Sequence, residues 1–239
     1  MNSPFGLIPL KYQSLIWYSK FDRETGFNYI KPRNAIISID SSTALINSLD
    51  GPFSNSSSSY GTRSNRGGPL GDFAPPFRVD LTSFTLSFYL RVTGTETVGI
   101  YLESSLPGYR FSLNAVGLNL ELHTHHSFYT FNKQTVASVS FRNVFKRNDW
   151  HFVALTYDGA SKQLKLYDET ANVKQERTNV RIDNVYSYAF FIGSGLRFGI
   201  GKYFTHSSAI ACFSIHDQVL SQNDIALLPC ACQFKDRQQ

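Results

Sequence analysis

Ten residues of strict alternation constrain this chain more than any other feature. Between Phe84 and Thr93, the side chains of Phe84, Leu86, Phe88, Leu90 and Val92 fall on one side, and those of Thr85, Ser87, Tyr89, Arg91 and Thr93 on the other. Successive side chains of an extended chain point to opposite faces, so the pattern predicts a strand with one buried face. It recurs at Val98–Leu102, Tyr109–Leu113, Leu118–Leu122, Thr135–Phe141, Trp150–Tyr157, Gln163–Tyr167, Leu196–Ile200 and Ala209–His216. Turn-forming clusters separate the runs: Leu106-Pro107-Gly108, Asn114–Gly117, Asp158-Gly159 and Gly193-Ser194-Gly195. Strands at short regular spacing, with no helical period between them, indicate an antiparallel sandwich or barrel. Composition agrees, since 20 Phe, 13 Tyr and 2 Trp stand beside one Met, and rings suit a pleated, half-buried surface.

At 239 residues and 42% apolar content, the chain is long enough for a sizeable core. All-β units of about 200–250 residues are common as single domains, so residues 1–239 are expected to form one, with a core spanning about 13–229. Residues 51–76, beginning Gly51-Pro52-Phe53-Ser54-Asn55, are rich in Ser, Gly and Pro and are expected to form a long surface loop. One helix is predicted near the end. Ser221 with Asp224 resembles a capping box, Ile225, Leu227 and Leu228 supply an apolar side, and Pro229 is expected to end it ahead of a cysteine-containing tail, 230–239. No run of 18 apolar residues encodes a membrane-spanning helix. Residues 1–6 show no basic segment leading into an apolar run, so an extracellular reading makes this chain a fragment of a larger multidomain protein.

Trp150-His151-Phe152-Val153-Ala154-Leu155-Thr156-Tyr157-Asp158-Gly159 resembles the W-H-x-V-A-x-T-Y-D-G strand and turn of laminin-G-like and pentraxin-like domains of the concanavalin A-like lectin/glucanase superfamily. Leu15–Asp22 looks like the family's opening strand, Ser83–Val92 like its S-F-T-x-S-F-W-x-R strand, and Ile210–Leu228 like the closing strand and L-S-x-x-D-I-x-x-L helix. The resemblance implies an all-β jelly-roll β-sandwich of two antiparallel sheets with one short C-terminal helix. Trp150–Leu155 carries apolar groups at both parities, as expected of a strand central to two packed layers. Asp158-Gly159 is expected to supply the positive φ of a tight hairpin.

Such folds host lectins, glycosidases and adhesion modules alike, so activity has to be argued from residues. The glycosidases of this superfamily carry closely spaced carboxylates on one strand, and the chain contains no E-x-D-x-E or E-x-D-x-x-E. The expected function is therefore non-catalytic recognition or adhesion, binding a protein partner or a glycan through rim loops or the concave sheet. A glycoside-processing enzyme and a structural spacer of a matrix or receptor ectodomain are the alternatives. Family members hold calcium in rim loops, and Asp72, Asp80 or Asp183 are weak candidate ligands. His123 and His125 share the spacing of a zinc pair, although exposed histidines at a strand end and turn are the simpler explanation.

Laminin-G-like domains often join the closing strand to the C-terminal tail, which implies a disulfide from Cys212 to Cys230 or Cys232, with the third cysteine left over. Asn55-Ser56-Ser57 is a glycosylation sequon in the polar loop. These features support an extracellular protein. The net charge of +5 gathers into three groups: Arg63 and Arg66, then Arg142, Lys146 and Arg147, then Arg177 and Arg181. Such rim arginines suit sulfated glycans, because the guanidinium fork matches a sulfate. Solvated loop faces are the simpler explanation, and no nucleic-acid module is recognisable.

Overall fold

The computed structural model describes residues 15–19, 29–30, 36–38, 43–45, 62–64, 69–74, 79–92, 98–103, 108–116, 118–127, 133–182, 185–187, 189–193 and 209–231. The strands in chain order are β1 (Leu15–Ser19), β2 (Tyr29–Ile30), β3 (Ile36–Ser38), β4 (Thr43–Leu45), β5 (Thr62–Ser64), β6 (Pro69–Ala74), β7 (Val79–Leu81), β8 (Phe84–Arg91) and β9 (Val98–Glu103). They continue as β10 (Gly108–Val116), β11 (Asn119–Ser127), β12 (Lys133–Phe141), β13 (Trp150–Asp158), β14 (Gln163–Tyr167), β15 (Val173–Arg177), β16 (Val185–Ser187), β17 (Ala189–Gly193) and β18 (Ala209–His216), followed by helix α1 (Gln222–Ala231). Pairing is antiparallel throughout the strand ladders. One sheet runs β15-β14-β13-β8-β18-β1-β2 with β5 and β4 attached at β18, and the second runs β12-β11-β10-β9-β17-β6-β3. This is the expected sandwich of two antiparallel sheets with one short helix.

The interior is filled by buried side chains of the described strands. Phe84, Leu86, Phe88 and Leu90 of β8, Val153, Leu155 and Tyr157 of β13, and Leu164 and Leu166 of β14 are buried, as are Leu113, Leu120, Leu122 and Phe141 of the second sheet. The Tyr157 hydroxyl is buried with its ring. It donates to the Val180 carbonyl (3.1 Å) and accepts the Ile182 N–H (3.2 Å), which ties the segment after β15 to the core.

Four expectations are corrected by the fold. First, β8 buries both faces rather than one. Its second face, with Tyr89, packs in a cluster with Phe152, Ala154 and Tyr167, Cys212 of β18, and Leu220, Ile225 and Leu228 of the helix segment. The polar members of that face are satisfied internally: Thr85 Oγ1 donates to the Gln218 carbonyl (2.8 Å) and accepts the Leu220 N–H (2.9 Å), while Ser87 and Ser214 share a hydroxyl hydrogen bond of 2.7 Å. Alternation alone does not reveal that a helix covers the second face. Second, residues 51–76 contain β5 and β6, and β6 lies inside the second sheet between β17 and β3. Backbone pairing outweighs the low apolar content there.

Third, α1 is capped as expected, with the Asp224 N–H donating to Ser221 Oγ (3.2 Å) and Ser221 Oγ donating to the Asp224 carboxylate (2.6 Å). Pro229, however, falls inside the last turn instead of ending the helix, where its missing N–H forfeits one hydrogen bond. Leu227 is half exposed and does not join the apolar side. Fourth, Gly159 lies outside the left-handed region, which Lys162 adopts at the end of this turn (φ 55°). Glycine is required at 159 by closeness: a Cβ would lie 2.2 Å from the Thr82 carbonyl oxygen. The run Leu196–Ile200 lies outside the described residues.

Candidate functional site

The strand pattern that opens β13 also builds a rim. Where β13 begins, β14 ends and β15 begins, the loop 142–149 and the turn 168–172 flank a cleft of about 540 Å3. It is lined by Asn148, Asp149, Trp150 and His151, by Asp168, Glu169, Thr170 and Lys174, and by Val144, Phe152, Leu166 and Tyr167.

Both walls are held by their own backbones. In the loop, the Val144 and Phe145 N–H groups donate to the Leu118 carbonyl (2.9 and 3.1 Å), and the Asn148 N–H donates to the Val92 carbonyl (2.8 Å). Asn143 and Asn148 take the left-handed conformation (φ 55° and 66°) that asparagine tolerates well. Arg91 Nε donates to the Asn148 carbonyl (2.9 Å), and the Lys146 N–H donates to His151 Nε2 (2.9 Å). In the opposite turn, Asp168 Oδ1 accepts the Thr170 N–H (3.0 Å), the Thr170 hydroxyl (2.5 Å) and the Asn172 N–H (3.2 Å). Lys174 Nζ stands 3.9 Å from its other oxygen.

These contacts set the charge states. Partial burial opposes ionisation of Asp168, but the bonds from Thr170 and Asn172 and the Lys174 charge outweigh it and hold the carboxyl below its ordinary range. For His151, burial of the ring lowers the pKa, Asp149 works against that, and Lys174 and Lys146 reinforce it. A neutral imidazole fits the geometry, since Nε2 accepts a hydrogen bond and leaves the proton on Nδ1. Trp150 is half-buried, its ring packed against the Tyr89–Phe152 cluster beneath the helix. The cleft thus combines a fixed aromatic ring, three carboxylates, one amine and a neutral histidine.

None of the basic residues predicted from the sequence lines the cleft. Arg142, Lys146 and Arg147 are exposed in the loop at the Trp150 end of β13. Arg181 is exposed beside Val180, whose N–H donates to the Lys162 carbonyl (3.0 Å), at the far end of that strand. Eight residue steps at about 3.3 Å separate the two rims by roughly 26 Å. Arg177 has a structural task. Its guanidinium donates to the carbonyls of Glu176 (2.8 Å) and Ser140 (2.9 Å) and to Gln175 Oε1 (3.2 Å), and it lies 5.2 Å from the centre of the Phe141 ring. Gln175 in turn accepts the Arg142 N–H and donates to its carbonyl. Because β12 and β15 are edge strands of different sheets, these bonds close the open side of the sandwich.

Arg63 sits in β5 opposite Ala44, and Arg66, Asn55 and Asp183 lie outside the described residues. Asp72 belongs to β6 and Asp80 to β7, in different sheets. Among the described residues no group of three or more His, Cys, Asp or Glu is placed to share an ion. His123 and His125 stand two apart within β11 instead of at its end. Cys212 is disulfide-bonded. With three cysteines in the chain, its partner is Cys230 or Cys232. Cys212 is buried and left-handed (φ 53°) where the β18–β8 register shifts between Ala211 and Ser214, so a bulge turns it toward the helix.

Residues 69–226 match the Laminin_G_3 family model of the concanavalin A-like lectin/glucanases superfamily. The chain belongs to this family. Its signature strand, β13, is the one whose first residues form the cleft. No curated protein sequence matches the chain significantly. Among solved structures, the receptor-binding domain of botulinum neurotoxin D is similar at 16% identity and a TM-score of 0.64, over 91% of this chain and 52% of that one. The serotype G binding domain is similar at 13% identity and a TM-score of 0.62, over 91% and 51%. The serotype D ligand-binding domain in complex with N-acetylneuraminic acid gives 16% and 0.60, over 91% and 51%. The chain spans about half the length of these domains, and at such identities the likeness establishes a shared fold.

The cleft residues were not legible as a site from the sequence. Trp150 and His151 belong to a motif that reads as architecture, and Asp168-Glu169-Thr170 reads as an ordinary turn. The available signal was their position, since both segments end strands that pair with the same strand or are that strand.

Proposed function

We infer that this chain is a non-catalytic recognition module that engages a glycan or a protein partner through its rim, at the cleft between loop 142–149 and turn 168–172. The observation that carries this reading is the cleft itself: a fixed aromatic ring beside several polar groups, held on backbone-pinned loops above rigid strands. Rigid sheets holding variable loops are a recurrent solution for binding. The toxin domains of similar fold are receptor-binding and ligand-binding domains, which supports it.

The carboxylates favour binding over glycoside hydrolysis. A glycosidase acid needs a raised pKa, whereas Asp168 is shifted down and its Oδ1 is occupied by three donors. The disulfide at Cys212 supports an oxidising compartment, hence a secreted protein or the ectodomain of a cell-surface protein. Screening the purified protein against a glycan array and a panel of extracellular proteins, with β-glucan hydrolysis measured in parallel, tests the reading. Saturable binding without turnover is expected. Hydrolysis, or the absence of any ligand across both panels, overturns it.

A further inference from the structure

Three residues of the cleft belong to the cluster that the C-terminal helix closes. Trp150, Phe152 and Tyr167 line the cleft and pack in one group with Cys212 of β18 and with Ile225 and Leu228 of α1. The turn 168–172 enters the same cluster through Ala171, which is 1% exposed. Ala171 is left-handed (φ 58°), a conformation unfavourable to alanine that persists only where the surroundings impose it. We propose that a disulfide between Cys212 and Cys232 clamps α1 onto this cluster, and that its reduction loosens α1 and turn 168–172 together. The thiol–disulfide state of the C-terminal segment then sets the order of the cleft and, on the recognition reading of that cleft, its capacity to bind.

Helical periodicity selects the partner of Cys212. Ile225, Leu228 and Pro229 are buried, whereas Asn223, Ala226 and Leu227 are exposed, so α1 has one covered stripe and one open one. At about 100° per residue, position 230 falls about 140° from Ile225, among the exposed positions, while position 232 falls within about 20° of it. Cys232 follows the last residue of α1 and lies outside the described residues. Cys212 is buried in the cluster that the covered stripe meets, at the bulge of β18. The pairing favoured by register is therefore Cys212 with Cys232, and Cys230 stays outside the bridge.

This bridge closes a loop that contains the whole of α1. While it is intact, an undocked helix stays tethered to β18 and gains little freedom; cutting it restores that freedom to the open state. A dithiol supplies two electrons and two protons, the Cys212–Cys232 bond becomes two thiols, and the dithiol closes to its own disulfide. For a cross-link of this span, the open state of α1 gains about a hundredfold in population. Ala171 touches the same cluster, so the strained turn loses part of its support whenever α1 opens. The element with two arrangements is α1, docked or undocked, and it connects a covalent event to a distant rim.

The test combines peptide mapping without reductant with hydrogen exchange of the intact folded chain, with and without dithiothreitol, in the wild type, Cys230→Ser and Cys232→Ser. A Cys212–Cys232 peptide is expected. Reduction, or Cys232→Ser, is expected to speed exchange of the α1 and turn 168–172 amides by about a hundredfold, whereas oxidised Cys230→Ser behaves as the oxidised wild type. In the reduced protein these amides exchange faster than those of β10 and β11, which report global unfolding. If Cys232→Ser does not fold, reduction of the folded wild type decides. A Cys212–Cys230 bridge, α1 exchange unchanged by reduction, one common rate for α1 and β11, or release of α1 without the turn overturns the proposal. None of these measurements involves a ligand, so their failure leaves the recognition reading standing, and a chain that binds nothing in the screens above ends that reading alone.

Discussion

His216 is the most deeply buried titratable side chain described, 1% exposed at the end of β18. Burial lowers its pKa from 6.5 to about 4, with Asp224 of the helix acting weakly in the other direction. A histidine that resists protonation when folded, and accepts it freely when unfolded, makes stability fall as the medium is acidified. Between the unfolded value near 6.5 and the folded value near 4 the unfolded state binds one more proton, so unfolding free energy declines by about 1.4 kcal/mol per pH unit. The total is about 3 kcal/mol, a large share of the roughly 5–15 kcal/mol typical of a domain, and below the folded value the loss levels off. Asp158 and Asp168, both shifted down, act with the same sign but only as pH falls below the ordinary carboxylate range, so they leave this window nearly flat. His151 shares the window and is removed by comparison. Urea unfolding followed by tryptophan fluorescence, from neutral pH to about pH 4, is therefore to be run on the wild type and on His216→Gln. The wild-type profile is expected to be steeper by about 3 kcal/mol over the window. Parallel profiles, or an NMR titration placing the His216 imidazole near 6.5 in the folded protein, would refute the argument.

Gly159→Ala is expected to lower the thermal midpoint by several degrees, as about 1–3 kcal/mol of overpacking requires, because the new Cβ meets the backbone oxygen of Thr82; an unchanged midpoint in calorimetry counts against so close an approach of the turn to Thr82. Tyr157→Phe leaves the buried Ile182 N–H without its acceptor, a loss of about 1–3 kcal/mol readable as a lower urea midpoint with an unchanged slope. Reduction of the protein, or Cys212→Ser, removes a cross-link closing a loop of 18 or 20 residues. The chain-entropy relation assigns this about 3 kcal/mol, and equal stability with and without reductant would contradict it.

The interior was legible because one parity of Phe84–Leu90, of Val153–Tyr157 and of Leu164–Leu166 is apolar without interruption, and burial in a two-layer fold follows that parity. The second face of β8 was not legible for a physical reason. Thr85, Ser87 and Tyr89 carry the composition of a wetted face, yet Tyr89 packs with the distant helix segment, and the hydroxyls of Thr85 and Ser87 are satisfied by Gln218, Leu220 and Ser214. Periodicity reports how polarity is distributed along a strand, while the identity of the layer above depends on contacts more than a hundred residues away.

The candidate site failed to show itself for the opposite reason. Positive charge is conspicuous in a sequence, and it led to Arg142, Lys146, Arg147, Arg177 and Arg181, which the fold distributes over two rims and one sheet edge. An arginine is defined as a ligand-binding group only by donors left unoccupied, and three of the hydrogen bonds of Arg177 already go to Ser140, Glu176 and Gln175. The cleft instead gathers residues that each look structural: a core tryptophan, a strand histidine, an aspartate closing a turn. What makes them a site is that β13 and β14 pair with Ala154 opposite Tyr167, so that the start of one strand and the exit of the other lie side by side. The register that packs the core also sets loop 142–149 against turn 168–172, and a shift of one residue in that pairing would dissolve the cleft together with the inner face of the sheet.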